Sequence, residues 1–238
     1  MARKLSKEEC DTLLSIFNGK KPASESILKE KIKNQDMIAT SVKKNATLIE
    51  LVPVFKFIFE SFCQNGQKKM SLEFKSTIYL KTHTTHIVKF GEYKKNLENN
   101  SLTFIFNAKE IQCSVLIHVQ DALALSLVNK SLGSSKSNQH NFVHAYSKID
   151  EVIISKQVFT LAKELETSIN SAFEKINLNY LRIENRPQLL SVFHPDDDVL
   201  LAVIEMNSES MSGAFHFVIP GFGVKGLQEK KASGHSNF

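Results

Sequence analysis

Apolar positions recur along this chain at two different periods, and the changes from one to the other divide it into elements. From Thr47 to about Ser76 the residues Leu48, Leu51, Phe55, Phe59, Phe62 and Cys63 fall on one side at helical spacing. Pro53 suits a first helical turn, so the main helix is expected to begin near it. Thr77 to Phe90 is rich in Thr, Ile, Val and Tyr and predicts a strand. A polar connection, Glu92 to Asn100, leads to two more strands, Leu102–Phe106 and Cys113–Val119, with a turn at Lys109-Glu110. Asp121 is placed to cap a short helix over Ala122–Leu132, which Gly133 ends. Ser131 to Asn141 is poor in apolar residues and predicts a surface loop. A long helix follows from Ser147 to about Ile176, with Ile149, Ile153, Val158, Leu161, Leu165, Ile169 and Phe173 as its apolar positions.

Asn179 to Ile183 predicts the strand that leads to a final hairpin. Val199–Ile204 and Ala214–Pro220 are apolar runs joined by a polar turn through Asn207 to Gly213. In the second run Ala214, His216 and Val218 alternate with Phe215, Phe217 and Ile219, so its two faces differ. Pro220 lacks the N–H a ladder requires, and the strand should stop there. The order is helix, strands, short helix, long helix, strands. Two helix-plus-sheet halves of this kind predict an α/β sandwich with a largely antiparallel sheet.

The N-terminus reads differently. Ser6-Lys-Glu-Glu9 is a capping box, and Leu5 with Cys10 can form a hydrophobic staple. Cys10, Leu13, Leu14 and Phe17 then make one apolar stripe, with Gly19 as a stop. A helix of about three turns is marginal alone in water and becomes fully helical when its stripe is covered. The following stretch, Asn18 to Asn45, carries seven Lys and Pro22 and has the composition of a tether.

Composition adds limits. The chain has 238 residues, 42% of them hydrophobic and 17 of them Phe, enough for one sizeable core. No apolar window is long enough to span a membrane and the first residues lack a signal-peptide core, so a cytoplasmic protein is expected. Cys10, Cys63 and Cys113 have no CxxC spacing and predict neither a disulfide framework nor a zinc site. The net charge of +5 comes from lysines spread along the chain, without the clustered basic and aromatic residues of a nucleic-acid surface.

Catalytic motifs are few. Gly221-Phe-Gly-Val-Lys-Gly226 spells a GxGxxG pattern, but the helix, second strand and acidic partner of a dinucleotide site have no room after it, and it is expected to be a loose turn. His83 and His86, and His140 and His144, have no acidic or Cys ligand nearby in sequence. Asp196-Asp197-Asp198 is expected as a turn with solvated carboxylates. No cofactor and no metal are expected.

Several segments together carry a resemblance: Leu5-Ser-Lys-Glu-Glu-Cys-Asp-Thr-Leu-Leu14, Leu116-Ile-His-Val119, Leu125-Ser-Leu-Val-Asn129 before a Gly loop, Tyr146-Ser-Lys-Ile-Asp150, Tyr180-Leu-Arg-Ile-Glu-Asn185 and the Val192–Pro220 hairpin. In order and spacing they resemble the FliM family of flagellar motor switch proteins. The resemblance implies a CheC-like pseudo-twofold α/β/α sandwich. It divides the chain into an N-terminal CheY-binding helix over residues 1–18, a basic flexible linker over 19–45, a middle domain over 46–227 and a disordered tail over 228–238.

It also implies partners. Leu5, Ser6, Glu9, Cys10, Leu13, Leu14 and Phe17 would capture phosphorylated CheY. The family has an Ile where Cys10 stands, and the smaller side chain would cost about 1 kcal/mol of capture. FliG would meet Leu132, Gly133, Ser134, Ser135 and Lys136, where only the first Gly of the family's GGxG loop is kept. Neighbouring FliM-like subunits complete the set. The polar end Leu227–Phe238 is too short for the family's FliN-like domain, which puts docking of FliN in doubt. The expected function is a non-enzymatic component of the switch ring that controls rotation in chemotaxis, at the cytoplasmic face of the inner membrane. The alternatives are a CheC-like phosphatase of phosphorylated CheY and a truncated paralogue unable to assemble. CheC-type phosphatases use an ExxN pair, whereas here Glu60 leads to Cys63, and Asp150 and Glu151 lead to Ile153 and Ile154. None of those three side chains orients water as an amide does.

Overall fold

The computed structural model describes the backbone of residues 24–99, 101–133, 146–173 and 175–234, and the side chains within these from 48 to 228. The predicted CheY-capture helix lies outside the described residues. Residues Met1–Thr47 and Leu48–Phe238 form two units, and the second carries the sheet. Its elements in chain order are helix α1 (Ser24–Phe74, begun in the first unit), β1 (Tyr79–Lys89), α2 (Phe90–Lys95), β2 (Leu102–Ala108), β3 (Cys113–Val119), α3 (Asp121–Ser131), α4 (Lys148–Ala172), β4 (Leu178–Glu184), β5 (Asp198–Asn207), β6 (Ser212–Pro220) and α5 (Gly221–Gly234).

All six strands join one sheet in the order β1-β5-β6-β3-β2-β4, and every neighbouring pair is antiparallel. The order exchanges strands between halves: β1, from the first half, pairs with β5, and β4, from the second, pairs with β2. At the middle β3 pairs with β6, matching Ile117 to Phe217, His118 to His216 and Val119 to Phe215. Pro220 is the last residue of β6, opposite Val199, as its missing N–H requires.

Polar side chains of the long helices repeat the same internal symmetry. Ser71 of α1 accepts from the N–H of Ile78 at 3.1 Å, and Gln67, one turn earlier, accepts from the N–H of Leu80 at 3.2 Å. On α4, Asn170 accepts from the N–H of Ile176 at 2.8 Å and donates to its carbonyl at 3.0 Å, while Glu166 accepts from the N–H of Leu178 at 3.0 Å. Each second-half residue lies 98 or 99 positions after its first-half counterpart. The same offset carries His118 onto His216, and the pair Ile117–Phe217 onto Phe215–Val119, so the pseudo-twofold axis passes between the two histidines. Since β1 and β4 are the sheet's edges, these side chains satisfy backbone groups that would otherwise be open to another chain.

The helical face holds the larger core. Phe55, Phe59 and Phe62 of α1 are fully buried, and Phe59 and Phe62 place their rings 5.7 and 4.9 Å from Phe217. Ile154, Val158, Leu161, Leu165 and Ile169 of α4 join them, with Leu123, Leu127, Val224 and Leu227 from α3 and α5. The opposite face has a thinner cover: α2 supplies Phe90 and Tyr93, and the connection after β4 supplies Leu190 and Phe193. The sandwich expected from the sequence is therefore present with unequal outer layers.

Several expectations change. Helix α1 does not begin near Pro53 but runs through it, and starts at Ser24, within the segment read as a linker. That segment is rich in Lys, whose helix propensity is good, and carries no strong apolar stripe to signal it. In α4, Ile149 is 69% exposed and Ile153 is only half-buried, because the seam runs through Ile154 and the helix drifts away from a stripe five residues earlier. At the expected end of the strand and into the polar connection, Phe90-Gly-Glu-Tyr93 begins α2; a six-residue helix is too short to leave a periodic signal. The expected loose turn at Gly221–Gly226 and part of the expected tail form α5. A Cβ on Gly223 would stand 2.6 Å from Cys113 Sγ, so this glycine serves close helix packing and does not break the chain.

The edge contacts give a measurable expectation. Asn170→Ala leaves the N–H of the fully buried Ile176 unpaired, which costs about 1–3 kcal/mol. Urea unfolding of the full chain should show a lower midpoint with an unchanged slope.

Candidate functional site

Gly133 and its flanks stand at the end of α3, and α3 is held firmly at its start. Gln120 extends the β3–β6 ladder: its N–H donates to the Ala214 carbonyl at 3.2 Å, and its side-chain oxygen accepts from the N–H of Ala214 at 3.0 Å. The chain then turns into the helix, where Leu123, Ala124, Leu127 and Val128 are buried against the main core. Gly213, at φ +155°, lies under this turn; a Cβ there would stand 2.6 Å from Leu123 Cβ and 3.1 Å from the Leu123 nitrogen.

Asp121 is not the cap that its sequence position suggested. It is the first residue of α3, after Gln120, and its own N–H donates to Glu98 Oε2 at 3.1 Å. Its carboxylate accepts from the Tyr146 hydroxyl at 2.5 Å. Burial and the Asp121 carboxylate push the Tyr146 phenol above its ordinary range, so it stays a proton donor. Beside Tyr146, Ser147 and Asp150 form a reciprocal capping box that opens α4: the N–H of Ser147 donates to Asp150 at 2.9 Å, and the N–H of Asp150 to the Ser147 hydroxyl at 3.3 Å. The loop between α3 and α4 thus re-enters the fold beside the start of α3. The Tyr146–Asp121 bond was missed from the sequence, since it joins residues 25 apart that no local period connects.

At the far end of α3, Leu132 is 67% exposed. Gly133 has φ +82°, and among the described residues nothing lies within 4 Å of where a Cβ would be, so its role is conformational. Ser134, Ser135 and Lys136 lie outside the described residues, as do Leu5, Ser6, Glu9, Cys10, Leu13, Leu14 and Phe17.

A second concavity, of about 540 Å³, opens between α1 and β1 and is lined by Glu60, Cys63, Gln67, Lys68, Lys81 and Thr82 among others. Burial raises the Cys63 thiol pKa, and its sulfur lies 3.5 Å from Thr82 Oγ1. Gln67 is committed to the backbone of Leu80. At the equivalent place in the second half, Phe159 and Tyr180 meet edge to face with centroids 5.0 Å apart. Of the ExxN-like positions, Glu151 pairs with Lys148 at 2.8 Å, and Ile154 is fully buried. The Asp196–Asp198 turn is occupied structurally: Asp197 accepts from the N–H of His194 at 2.8 Å, and Asp198 pairs with Lys89 at 2.8 Å. Among the described residues no group of three or more His, Cys, Asp or Glu is placed to hold a metal ion, and no helix is long and apolar enough to cross a membrane.

Comparison with known proteins agrees with this geometry. The family model described as "Flagellar motor switch protein FliM" matches residues 49–234. A curated relative, flagellar motor switch protein FliM of Caulobacter vibrioides (strain NA1000 / CB15N), is 19% identical over 183 residues, covering 74% of this chain and 48% of the relative. The chain therefore spans about half the length of the curated relatives it matches. Among solved structures, the fold is similar to the FliG–FliM complex from H. pylori, with a TM-score of 0.71 at 14% identity, covering 76% of this chain and 98% of the other. It is also similar to the FliM middle domain (51–229) from Vibrio alginolyticus, with a TM-score of 0.65 at 18% identity, covering 74% and 98%.

The two glycines that bracket α3 should respond differently to substitution. Gly213→Ala forces a backbone contact as well as strain and should cost about 2 kcal/mol or more, whereas Gly133→Ala meets none of the described residues and should cost about 1 kcal/mol of left-handed strain. Thermal unfolding of both variants checks the order, and equal melting points would contradict it.

Proposed function

The chain belongs to the FliM family of flagellar motor switch proteins, and from that premise we propose that it is a binding component of the switch ring rather than an enzyme. The observation that carries this reading is the match of the family over residues 49–234, on a fold whose solved relatives include a FliM bound to FliG. In this reading FliG docks at the far end of α3, on Leu132, Gly133 and the following Ser134, Ser135 and Lys136. The support is physical: α3 is anchored at its start by Gln120, Glu98 and Tyr146, and Leu132 is an exposed apolar side chain at its far end. A rigid base with an exposed apolar tip suits a partner that must transmit force.

The N-terminal segment receives the signal. Leu5, Ser6, Glu9, Cys10, Leu13, Leu14 and Phe17 form an amphipathic helix that phosphorylated CheY captures, folding as it binds. Neighbouring FliM-like subunits carry the response around a ring at the cytoplasmic face of the inner membrane. A CheC-like phosphatase is disfavoured by the chemistry of the α1 cleft: the Cys63 thiol pKa is raised and its sulfur lies against Thr82, and a thiol does not orient an attacking water as an amide does.

Two experiments test this. Calorimetric titration with CheY, with and without a phosphoryl analogue, should show phosphoryl-dependent binding to the full chain that disappears on deletion of residues 1–18; binding to neither form would sink the capture reading, and release of phosphate from CheY at catalytic protein concentration would sink the non-enzymatic one. For the rotor contact, Leu132→Asp should weaken FliG binding by about tenfold, since charging an apolar contact costs more than about 1.4 kcal/mol. Its melting point should stay within a degree or two of the parent's, and unchanged affinity would remove the α3 tip from the interface.

A further inference from the structure

The centre of the sheet's thinly covered face holds a polar cluster that no part of the proposed function uses. His118, 1% exposed, has Nδ1 at 3.0 Å from Thr103 Oγ1, and its ring lies 5.1 Å from that of His216 across the central β3–β6 pair. Tyr93 of α2 stands against both rings, with centroids 6.4 and 6.0 Å away. The Tyr93 hydroxyl and His216 Nδ1 are buried without a hydrogen-bond partner among the described residues.

Several neighbouring ionisable groups are engaged elsewhere: Glu184 of β4, across from Thr103, accepts from the N–H of Arg186 at 3.1 Å, while His86 of β1 lies across from Leu201, away from the pair. Across from His216 on β5 is Val203; Glu205, the next outward residue of that strand, pairs with His83 at 3.0 Å. From the cover, Lys94 donates to the Leu190 carbonyl at 2.7 Å, and Lys89 to the Asp196 carbonyl at 2.8 Å and to Asp198. His194 Nδ1 accepts from the N–H of Asp196 at 3.3 Å and lies 3.7 Å from the Asp196 carboxylate. Among the described residues no carboxylate lies against either buried ring, so a proton placed there would meet a second imidazole, the side chains of Thr103 and Tyr93, and otherwise apolar walls.

The lid over the pair is small. It consists of the six residues of α2 and the connection after β4, joined by Phe90 on Phe193 at 5.2 Å and by two backbone bonds, Phe90 N–H to the Asp197 carbonyl at 2.9 Å and Gly91 N–H to the Pro195 carbonyl at 2.8 Å. We propose that this lid is an acid-released cover: protonation of the His118–His216 pair detaches α2 and residues 187–197 from the sheet while the helical face stays closed.

The direction follows from burial. Desolvation, then the neighbouring His216, hold His118 well below the ordinary histidine range, and desolvation holds His216 at about 4. With the cover open both rings return to about 6.5. The closed cover is therefore fully favoured above that value and loses its advantage as pH falls from there towards 4. At pH 5, His216 alone raises the open population about 30-fold over that at pH 7.5. The lid opens first because its cluster is the smaller of the two and is roofed by a helix of six residues.

Hydrogen exchange of the full chain at pH 7.5 and pH 5.0, corrected for intrinsic rates, tests this. Peptides covering 88–97 and 187–197 should lose protection by about 30-fold or more at pH 5.0, while peptides from α4 change less than about threefold. Equal loss in all peptides, or none in the lid, overturns the proposal. Replacing both rings, His118→Phe with His216→Phe, should abolish the lid's response, and His83→Gln and His194→Gln should preserve it; a response that survives the double replacement, or vanishes with His194→Gln, assigns the trigger elsewhere and overturns it. If the double variant fails to fold, histidine titration of the parent chain by NMR decides: a His216 that protonates near 6.5 while the lid stays protected contradicts the mechanism, and one that protonates together with lid opening supports it.

Discussion

The exchange of one strand between the two halves is the constraint on which the rest of this structure depends. Among the described residues β1 pairs only with β5, and β4 only with β2, so neither half owns a complete sheet. Each half's long helix then lies over strands contributed by both, and Phe59 and Phe62 from the first half reach Phe217 in the last strand. Burial of that shared apolar face cannot proceed one half at a time. The two halves are bound to fold together, with the β3–β6 pairing as the seam.

The exchange also creates two edges, and the chain protects both in the same manner. Ser71 and Gln67 on one helix, and Asn170 and Glu166 on the other, supply side-chain acceptors to backbone N–H groups just before or at the start of β1 and β4. Similar positions carry different residue types, which is why the internal repeat is visible in geometry and faint in sequence. The halves also differ beside these edges, where the first has a polar cleft around Cys63 and the second has the edge-to-face pair Phe159–Tyr180. The core requires volume and acceptors, not particular side chains, and so tolerates this drift.

A binding role sits easily on such a frame. The region proposed to meet FliG is the tip of a helix whose base is fixed in three ways: by the extension of the central ladder through Gln120, by Glu98, and by Tyr146 returning from the loop. The buried histidines lie on the same central strand pair, at the other face of the sheet. Strands β3 and β6 thus support both the rigid helix and the thin cover.

Much of the fold was legible from period and punctuation alone. The strand Cys113–Val119, the stop at Pro220, and the helical stripe of Leu48, Leu51, Phe55, Phe59 and Phe62 follow from alternation, a missing N–H and 3.6-residue spacing, which are local properties of the chain. The end of α3 was legible too, because Gly133 after an apolar helix is a local signal, whereas a contact with FliG there was drawn from the family resemblance. What sequence could not determine is everything that depends on residues distant along the chain. The strand exchange, the Tyr146–Asp121 bond, the burial of His118 against His216 and the closeness of Gly223 to Cys113 were decided by tertiary packing, since each arises where two segments far apart in sequence compete for the same buried space.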